Sequence, residues 1–308
     1  KDSQGNGVPT SSLGALSFTM AGSTSDYGYT SFGSDVTTPG YVTENAMTAS
    51  TCGSDGSCSY TFTHAVPSSA TGSYTIGVEA RRTETLLPGT TAEQSVTYGA
   101  NNKVMSFSVD GSPMAPRRAV VATSNCNQCH SSLSVHGGLR NQTEYCVLCH
   151  NPSNTDIARR PGSMVAADRA LPPQGINFNL LVHRIHDGAN LQADNRGYVV
   201  VGFGGSHNDF SDVRFPAMSN TGATETLTRC SLCHINGSEQ NLPAGLNAVT
   251  DPQGPINPIQ PIASACTGCH VQLATASHAL ANTTSLGESC QTCHSSGAAF
   301  SVSQVHAQ

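Results

Sequence analysis

The chain has 308 residues, of which 37% are hydrophobic and 11% charged, with no tryptophan and a formal net charge of −6. That length implies two domains, yet so thin an apolar complement struggles to build a large core from side chains alone. Lys1 and Lys103 are the only lysines, which excludes a basic nucleic-acid surface, and no stretch approaches the roughly 18 apolar residues of a membrane helix.

The opening segment Lys1-Asp2-Ser3-Gln4-Gly5 has no apolar signal-peptide core and no cysteine for lipidation, so the chain reads as mature or trimmed. Residues 1–115 are rich in Ser, Thr and Gly. Cys52 and Cys58, on either side of Gly53, Asp55 and Gly56, read as a disulfide closing a small loop, with a free-thiol pair as the alternative. Tyr60 and Phe62 alternate with Ser59, Thr61 and Thr63. Tyr74, Ile76, Val78 and Ala80 alternate with Ser73, Thr75, Gly77 and Glu79, and Met105, Phe107 and Val109 with Ser106 and Ser108. Period two marks half-buried strands, and several short ones between Gly, Pro and Asn predict an antiparallel β sandwich or barrel over 1–115. Gly111-Ser112-Pro113-Met114-Ala115-Pro116 reads as a linker.

The second domain, 116–308, changes character. One helix is clear, from about Asn177 to Asp187, with Phe178, Leu181, Val182 and Ile185 as its apolar stripe and Gly188 where a C-terminal glycine belongs. Pro172-Pro173 and the stretch from Pro252 to Pro261 read as irregular connections. Five times a Cys-x-x-Cys pair is followed at once by His: Cys126/Cys129/His130, Cys146/Cys149/His150, Cys230/Cys233/His234, Cys266/Cys269/His270 and Cys290/Cys293/His294. This is the pattern of c-type haem attachment, in which two thiols form thioethers with the porphyrin and the next residue gives the iron its proximal imidazole. Zinc knuckles are the competing reading, but they come in pairs and do not require His after every second Cys. With 12 His in 308 residues, five such placements by chance have odds of roughly one in ten million. Short helical turns are expected after each motif, and covalent haem is expected to replace regular structure as the organiser of a mostly α, largely irregular domain.

Seven other histidines remain. His183 and His186 stand i, i+3 on the helix, hence on one face, and are expected to serve two adjacent haems as distal ligands. His136, His278 and His306, each a short way after a motif, complete a distal set of five, so that every iron carries two imidazoles. His207, in the loop Gly204-Gly205-Ser206-His207-Asn208-Asp209, reads as solvated or beside a haem edge. His64, in phase with Tyr60 and Phe62, reads as a hydrogen-bonded core residue; either could replace one of the five.

The haem half resembles one pentahaem module of the OmcA/MtrC family of outer-membrane multihaem c-type cytochromes. The likeness is carried by Cys126-Asn-Gln-Cys-His130, Leu133-Ser-Val-His136-Gly-Gly-Leu-Arg140, Tyr145-Cys146-Val-Leu-Cys-His150-Asn-Pro152 and Leu181-Val-His183-Arg-Ile-His186-Asp-Gly188. Phe210-Ser-Asp-Val-Arg-Phe-Pro216 and Val305-His306-Ala307 also fit, and Gly72-Ser-Tyr-Thr-Ile-Gly-Val-Glu-Ala-Arg-Arg82 resembles the end of the family's preceding β domain. Members are usually decahaem, with two β-plus-pentahaem halves, and this chain resembles one half over most of 60–308.

The resemblance implies extracellular electron transfer along five covalently bound haems to minerals, soluble shuttles or partner cytochromes, by a carrier without a dedicated catalytic site. It implies an extracellular or outer-membrane-surface location in preference to the periplasm. Partners would be other multihaem cytochromes or further copies of the chain. A polymeric filament and a reductase with one substrate-binding haem are the alternatives.

Overall fold

Period-two alternation over 73–80 produces the strand around which the first unit is built. The computed structural model describes residues 7–48, 50–53, 57–215, 228–240, 243, 245–284 and 286–306, with the side chain of Cys52 outside that set. Its contacts divide the chain into two units, Lys1–Arg118 with Thr123–Cys149, and Ala119–Ala122 with His150–Gln308. A boundary drawn by motif content falls at 115/116; by contacts, the first two attachment helices belong with the sheet.

In the first unit, strands β1 (Ala15–Gly22), β2 (Tyr41–Asn45), β3 (Thr51–Cys52), β4 (Cys58–Ser59), β5 (Ser73–Leu86), β6 (Gln94–Gly99) and β7 (Lys103–Ser108) are joined by helices α1 (Thr123–His130) and α2 (Thr143–Cys149). The main sheet is antiparallel, ordered β2-β1-β5-β6 with β7 also on β5, while β3 and β4 form a separate ladder. Strands β6 and β7 act as one long strand along β5. Arg81 pairs with Gly99 and Val78 with Lys103, so residues 79–80 face 100–102, a bulge of one extra residue. Asn102 at that bulge donates its backbone N–H to Asn141 Oδ1 (3.1 Å) and accepts the Asn141 N–H at 2.8 Å. Its amide also donates to the Leu139 carbonyl at 2.9 Å. The bulge therefore clasps the loop that follows the first haem motif.

One sheet face packs Met20, Phe32, Val42 and Tyr74 into an apolar cluster, with Ile76, Phe62 and Phe107 partly buried against it. The opposite, more polar face is buried too. Thr75, Gly77 and Glu79 are all shielded: the Tyr27 hydroxyl donates to Thr75 Oγ1 at 2.8 Å, while α2 and its approach lie over Gly77 and Glu79. A Cβ on Gly77 would come within 2.6 Å of the Tyr145 ring and 2.7 Å of Leu148. Arg140 grips the Glu79 carboxylate with two bonds, 2.7 and 3.3 Å. Alternation thus located the strand correctly, while its polar phase faces a helix instead of water.

Residues 60–63, expected as a strand, are not paired in a ladder. Their contacts go elsewhere: Phe18 stacks on Tyr60 with ring centres 5.4 Å apart and meets Phe62 edge-on. The amides of Thr63 and His64 both donate to the Glu44 carboxylate at 2.9 Å, which replaces the missing ladder partners.

The second unit holds α3 (Ala166–Ala170), α4 (Phe178–His186), α5 (Gly188–Ala193), α6 (Pro261–Cys266), α7 (Leu273–Ala281), α8 (Gln291–His294) and α9 (Val302–Val305). Two short ladders, β8 (Val199–Val201) with β9 (His207–Asp209) and β10 (Thr283–Thr284) with β11 (Gly287–Glu288), complete it. The expected helix is α4, flanked by Asn177 and Asp187, with no side-chain cap at its N-terminus. Its deepest residues are Leu180 and Arg184, not the predicted stripe; Leu181 and Ile185 are partly buried against Leu191, Tyr198 and Val271. Gly188 does not end the helix. It begins α5, and a Cβ there would overlap the Phe210 carbonyl, so glycine is required by close approach.

Apolar clusters here are small, and buried ion pairs hold the loops between them. Arg184 binds Asp251 through two bonds of 3.0 and 2.7 Å, with both groups buried. Asp156 accepts Arg160 at 2.9 and 2.5 Å and the backbone N–H groups of Gln174 and Val201 at 2.8 and 2.9 Å, so one carboxylate gathers three segments. Removing one partner of such a pair strands a buried charge. Arg184→Ala should lower the free energy of unfolding in denaturant titrations by about 3–5 kcal/mol. Arg184→Met with Asp251→Leu should recover most of it; a single variant within about 1 kcal/mol of the parent would refute the buried-pair account.

A second expectation concerns pH. Burial pushes the Glu44 carboxyl up, but hydrogen bonds from the Tyr60 hydroxyl, the Thr63 N–H, His64 and the Thr63 hydroxyl outweigh it and hold the group down to about 2. Against an unfolded value of about 4.3, this adds stability above that pH which is lost as pH falls through about 2. His64 is raised by hydrogen bonds to Glu44 and Asp35, so its contribution is complete below about 6.5 and fades as pH climbs through the raised value. Thermal melts should show greatest resistance between about pH 4.5 and 6.5, and Glu44→Gln should flatten the acid limb. An unchanged acid limb in that variant would assign it to other groups.

Candidate haem-binding centre

Cys, Cys and His at i, i+3 and i+4 fall on one face of a single helical turn. The chain takes that turn within the motifs, instead of after them as expected. Helix α1 closes on His130, α2 closes on Cys149 and α8 spans Cys293 and His294. In the third, fourth and fifth motifs the His N–H bonds the carbonyl of the first Cys: His234 to Cys230 at 2.9 Å, His270 to Cys266 at 2.9 Å and His294 to Cys290 at 3.0 Å. None of Cys126, Cys129, Cys146, Cys149, Cys230, Cys233, Cys266, Cys269, Cys290 and Cys293 is in a disulfide. Burial pushes Cys146 up to about 11 and Cys149 and Cys269 up to about 12, so these sulfurs are neutral and not poised as thiolates. Among the described residues no three His, Cys, Asp or Glu side chains converge on a metal position.

Three motif histidines of the second unit, His234, His270 and His294, each find another histidine opposite. The His234 ring centre lies 6.2 Å from that of His183, with the planes 18° apart. His270 faces His306 at 6.1 Å and 39°, and His294 faces His278 at 6.2 Å and 86°. The separation is constant while the angle ranges widely. An imidazole nitrogen lies about 1.1 Å from its ring centre and bonds a metal at about 2 Å, so two trans imidazoles on one metal put their centres about 6.2 Å apart at any rotation. These residues fit a six-coordinate iron between each pair.

The partners cross over in sequence. His278 follows the fourth motif but faces the fifth, and His306 follows the fifth but faces the fourth. Spacing alone gives no sign of this exchange. His183 and His186 sit on one face of α4, as expected, and His186 packs edge-on against Phe215 at 5.7 Å. His136 lies in an exposed turn with φ of 54°. Of the segments carrying the resemblance, Pro216 and Ala307 lie outside the described residues.

A ring nitrogen bonded to an acceptor fixes the tautomer and leaves the other nitrogen's lone pair for metal. Five of the motif and candidate ligand histidines are held in this way at Nδ1. His150 donates to the Ile176 carbonyl and His186 to that of Val182, both at 2.8 Å. His294 donates to Phe300 O at 2.8 Å, His306 to Val302 O at 2.9 Å and His234 to the Ser238 hydroxyl at 3.1 Å. Four of these acceptors are backbone carbonyls, which leave no mark in a sequence. His183 differs, since its Nδ1 is buried without a partner, and burial followed by the neighbouring His234 and His186 holds its pKa down to about 4. It is therefore the neutral imidazole that ligation requires.

The two excluded histidines are bound to carboxylates. His64 meets Glu44 through Nδ1 at 2.5 Å and Asp35 through Nε2 at 3.1 Å, so both ring nitrogens are engaged. His207 Nδ1 meets Asp168 at 2.8 Å, from a short strand instead of an open loop. Cys52 and Cys58 are directly opposed in the β3–β4 ladder.

Residues 118–307 match the family model described as outer membrane cytochrome MtrC/MtrF-like, domains II/IV. The chain belongs to that family. C-type haem is accordingly the cofactor class of this MtrC/MtrF-like chain. It is similar to the multihaem cytochrome MtrC of Shewanella baltica (strain OS185), 30% identical over 94 residues, which is 30% of this chain and 12% of that protein. The crystal structure of MtrC from Shewanella baltica OS185 matches 95% of this chain and 48% of its own at a TM-score of 0.57 and 16% identity, a likeness of fold. The chain thus spans about half the length of that solved relative. An antiparallel β domain followed by a haem domain with limited helix is the MtrC/MtrF-like architecture, as the sequence implied. Among the described residues no helix is long and apolar enough to cross a membrane.

If the carboxylate-bound histidines stand outside the ligand set, His64→Ala and His207→Ala should leave the haem content and the low-spin absorption spectrum unchanged. His183→Ala should convert one haem to a high-spin form that binds carbon monoxide when reduced. A high-spin fraction in either of the first two variants would bring that residue into the set.

Proposed function

We propose that this chain is an extracellular electron-transfer module that passes respiratory electrons along five c-type haems, each iron closed by two imidazoles. The observation that carries this reading is the spacing of 6.1–6.2 Å shared by three pairs, each joining a motif histidine to a non-motif histidine. On this reading His183 pairs with His234, His306 with His270 and His278 with His294. His136 and His186 serve the irons whose proximal ligands are His130 and His150. Bound haem supplies one-electron iron chemistry. The chain's own part is to saturate both axial positions and so exclude outside ligands, and to keep neighbouring sites close. His183 and His186, one turn apart on α4, hold two sites side by side, and tunnelling falls exponentially with distance.

Bis-imidazole sites fall low in the span of about 0.8 V that axial ligands set, which suits delivery to minerals, soluble shuttles or partner cytochromes. No nucleophile or acid–base pair is needed, so the protein is a carrier and not an enzyme. Residues 116–308 form the pentahaem domain, and residues 1–115 act as a docking or spacing domain. Its Cys52–Cys58 disulfide is supported by their direct opposition, since such partners lie about 4.5–5.5 Å apart at Cα, within disulfide reach. Haem attachment and a disulfide both require export, in keeping with a place outside the cell or on the outer membrane surface.

Intact-mass spectrometry of the exported protein should give the polypeptide plus five haems, and the reduced spectrum should be low-spin and unmoved by carbon monoxide. Fewer than five haems, or carbon monoxide binding in the unaltered protein, would overturn the reading.

A further inference from the structure

His183 is the ring of the three facing pairs whose Nδ1 is shut away from solvent without an acceptor. What touches it is Gly268, the residue between the two cysteines of the fourth motif, Cys266-Thr267-Gly268-Cys269. A Cβ on Gly268 would stand 2.9 Å from His183 Cβ and 3.3 Å from His183 Nδ1. The first of these distances is closer than carbon atoms approach without displacement. Gly268 has no positive φ, so its backbone does not itself require glycine.

We propose that Gly268 is the positioning residue for the distal ligand of the third haem: the bare backbone of the fourth attachment motif is the wall that sets His183 opposite His234. This rests on the ligand pairing proposed above and deepens it. The other held rings are aimed by an Nδ1 hydrogen bond, whereas His183 is aimed by contact. Because Gly268 lies between Cys266 and Cys269, thioether attachment at the fourth motif also rigidifies the wall that aims the third site's ligand.

The test is Gly268→Ala in the full exported chain, with Gly162→Ala as the control, since a Cβ at Gly162 meets nothing within 4 Å. Gly268→Ala should retain five haems by intact mass, turn about one fifth of the haem high-spin and open that fraction to carbon monoxide. Redox titration should show one step moved while the others hold. The control should match the parent. Five low-spin haems with unmoved redox steps in Gly268→Ala would overturn the proposal. Should Gly268→Ala fail to load haem, the double variant His183→Gly/Gly268→Ala removes the side chain the new methyl strikes and should restore loading; persistent failure would place the clash elsewhere and also overturn it. Fewer than five haems in the unaltered protein would instead defeat the pairing itself, whatever the variants do.

Discussion

Two rings that share one metal must hold their centres near a fixed distance while remaining free to rotate about the bond axis, and on the proposed ligand set the second unit is arranged around this demand. Its three facing pairs keep 6.1–6.2 Å although their planes differ by 18°, 39° and 86°. The paired histidines stand 51, 36 and 16 residues apart in the chain, and only the last pair is spanned by a short ladder, β10–β11, so most of the loops must be fixed with little help from a sheet. Leu180, Val249, Ile259, Ala263 and Ala279 form a modest apolar cluster. Much of the remaining order comes from carboxylates that collect separate strands of chain. Asp156 fastens the turn at Arg160, the extended segment at Gln174 and the ladder at Val201, and Asp251 fastens α4 through Arg184.

The first unit solves a different problem. A sheet with one apolar face would ordinarily turn the other to water. Here the polar face carries Thr75, Gly77 and Glu79, the residues that let α2 lie close. Glycine removes bulk under Tyr145 and Leu148, Thr19 meets the Tyr145 hydroxyl at 2.9 Å, and Glu79 answers Arg140. Burial of charge there is tolerated because the pair is bidentate. The second attachment motif is thereby seated on a rigid sheet, and the Asn102–Asn141 clasp steadies the loop after the first.

Much of this was legible beforehand where the signal is local. The five motifs specify thiol and imidazole positions within one turn, the alternation at 73–80 marks β5, and His183 and His186 are read on one helical face from their spacing. What escaped has a non-local cause. Strand β1 ends buried on both faces and β6 is exposed on both, so neither alternates, while β2 alternates in burial but hides it by placing Glu44 on the buried side. The 60–63 segment alternates but gives its amides to Glu44 instead of a ladder. Leu180 and Arg184 line the deepest face of α4 because Asp251, far along the chain, supplies the charge that makes an arginine acceptable there. Gly188 resembles a helix terminator by position, yet its reason is the Phe210 carbonyl. The acceptors that orient the rings are mostly backbone oxygens, which no residue type announces.

The exchange of partners between His270/His306 and His278/His294 also has a temporal side. On the proposed ligand set, the fourth iron waits for a histidine that emerges beyond the fifth motif, while the fifth takes one that emerged before it. On that set the fifth centre can close as soon as its own motif is made, whereas the fourth stays open until residue 306 follows, so the last imidazole to arrive completes an earlier site.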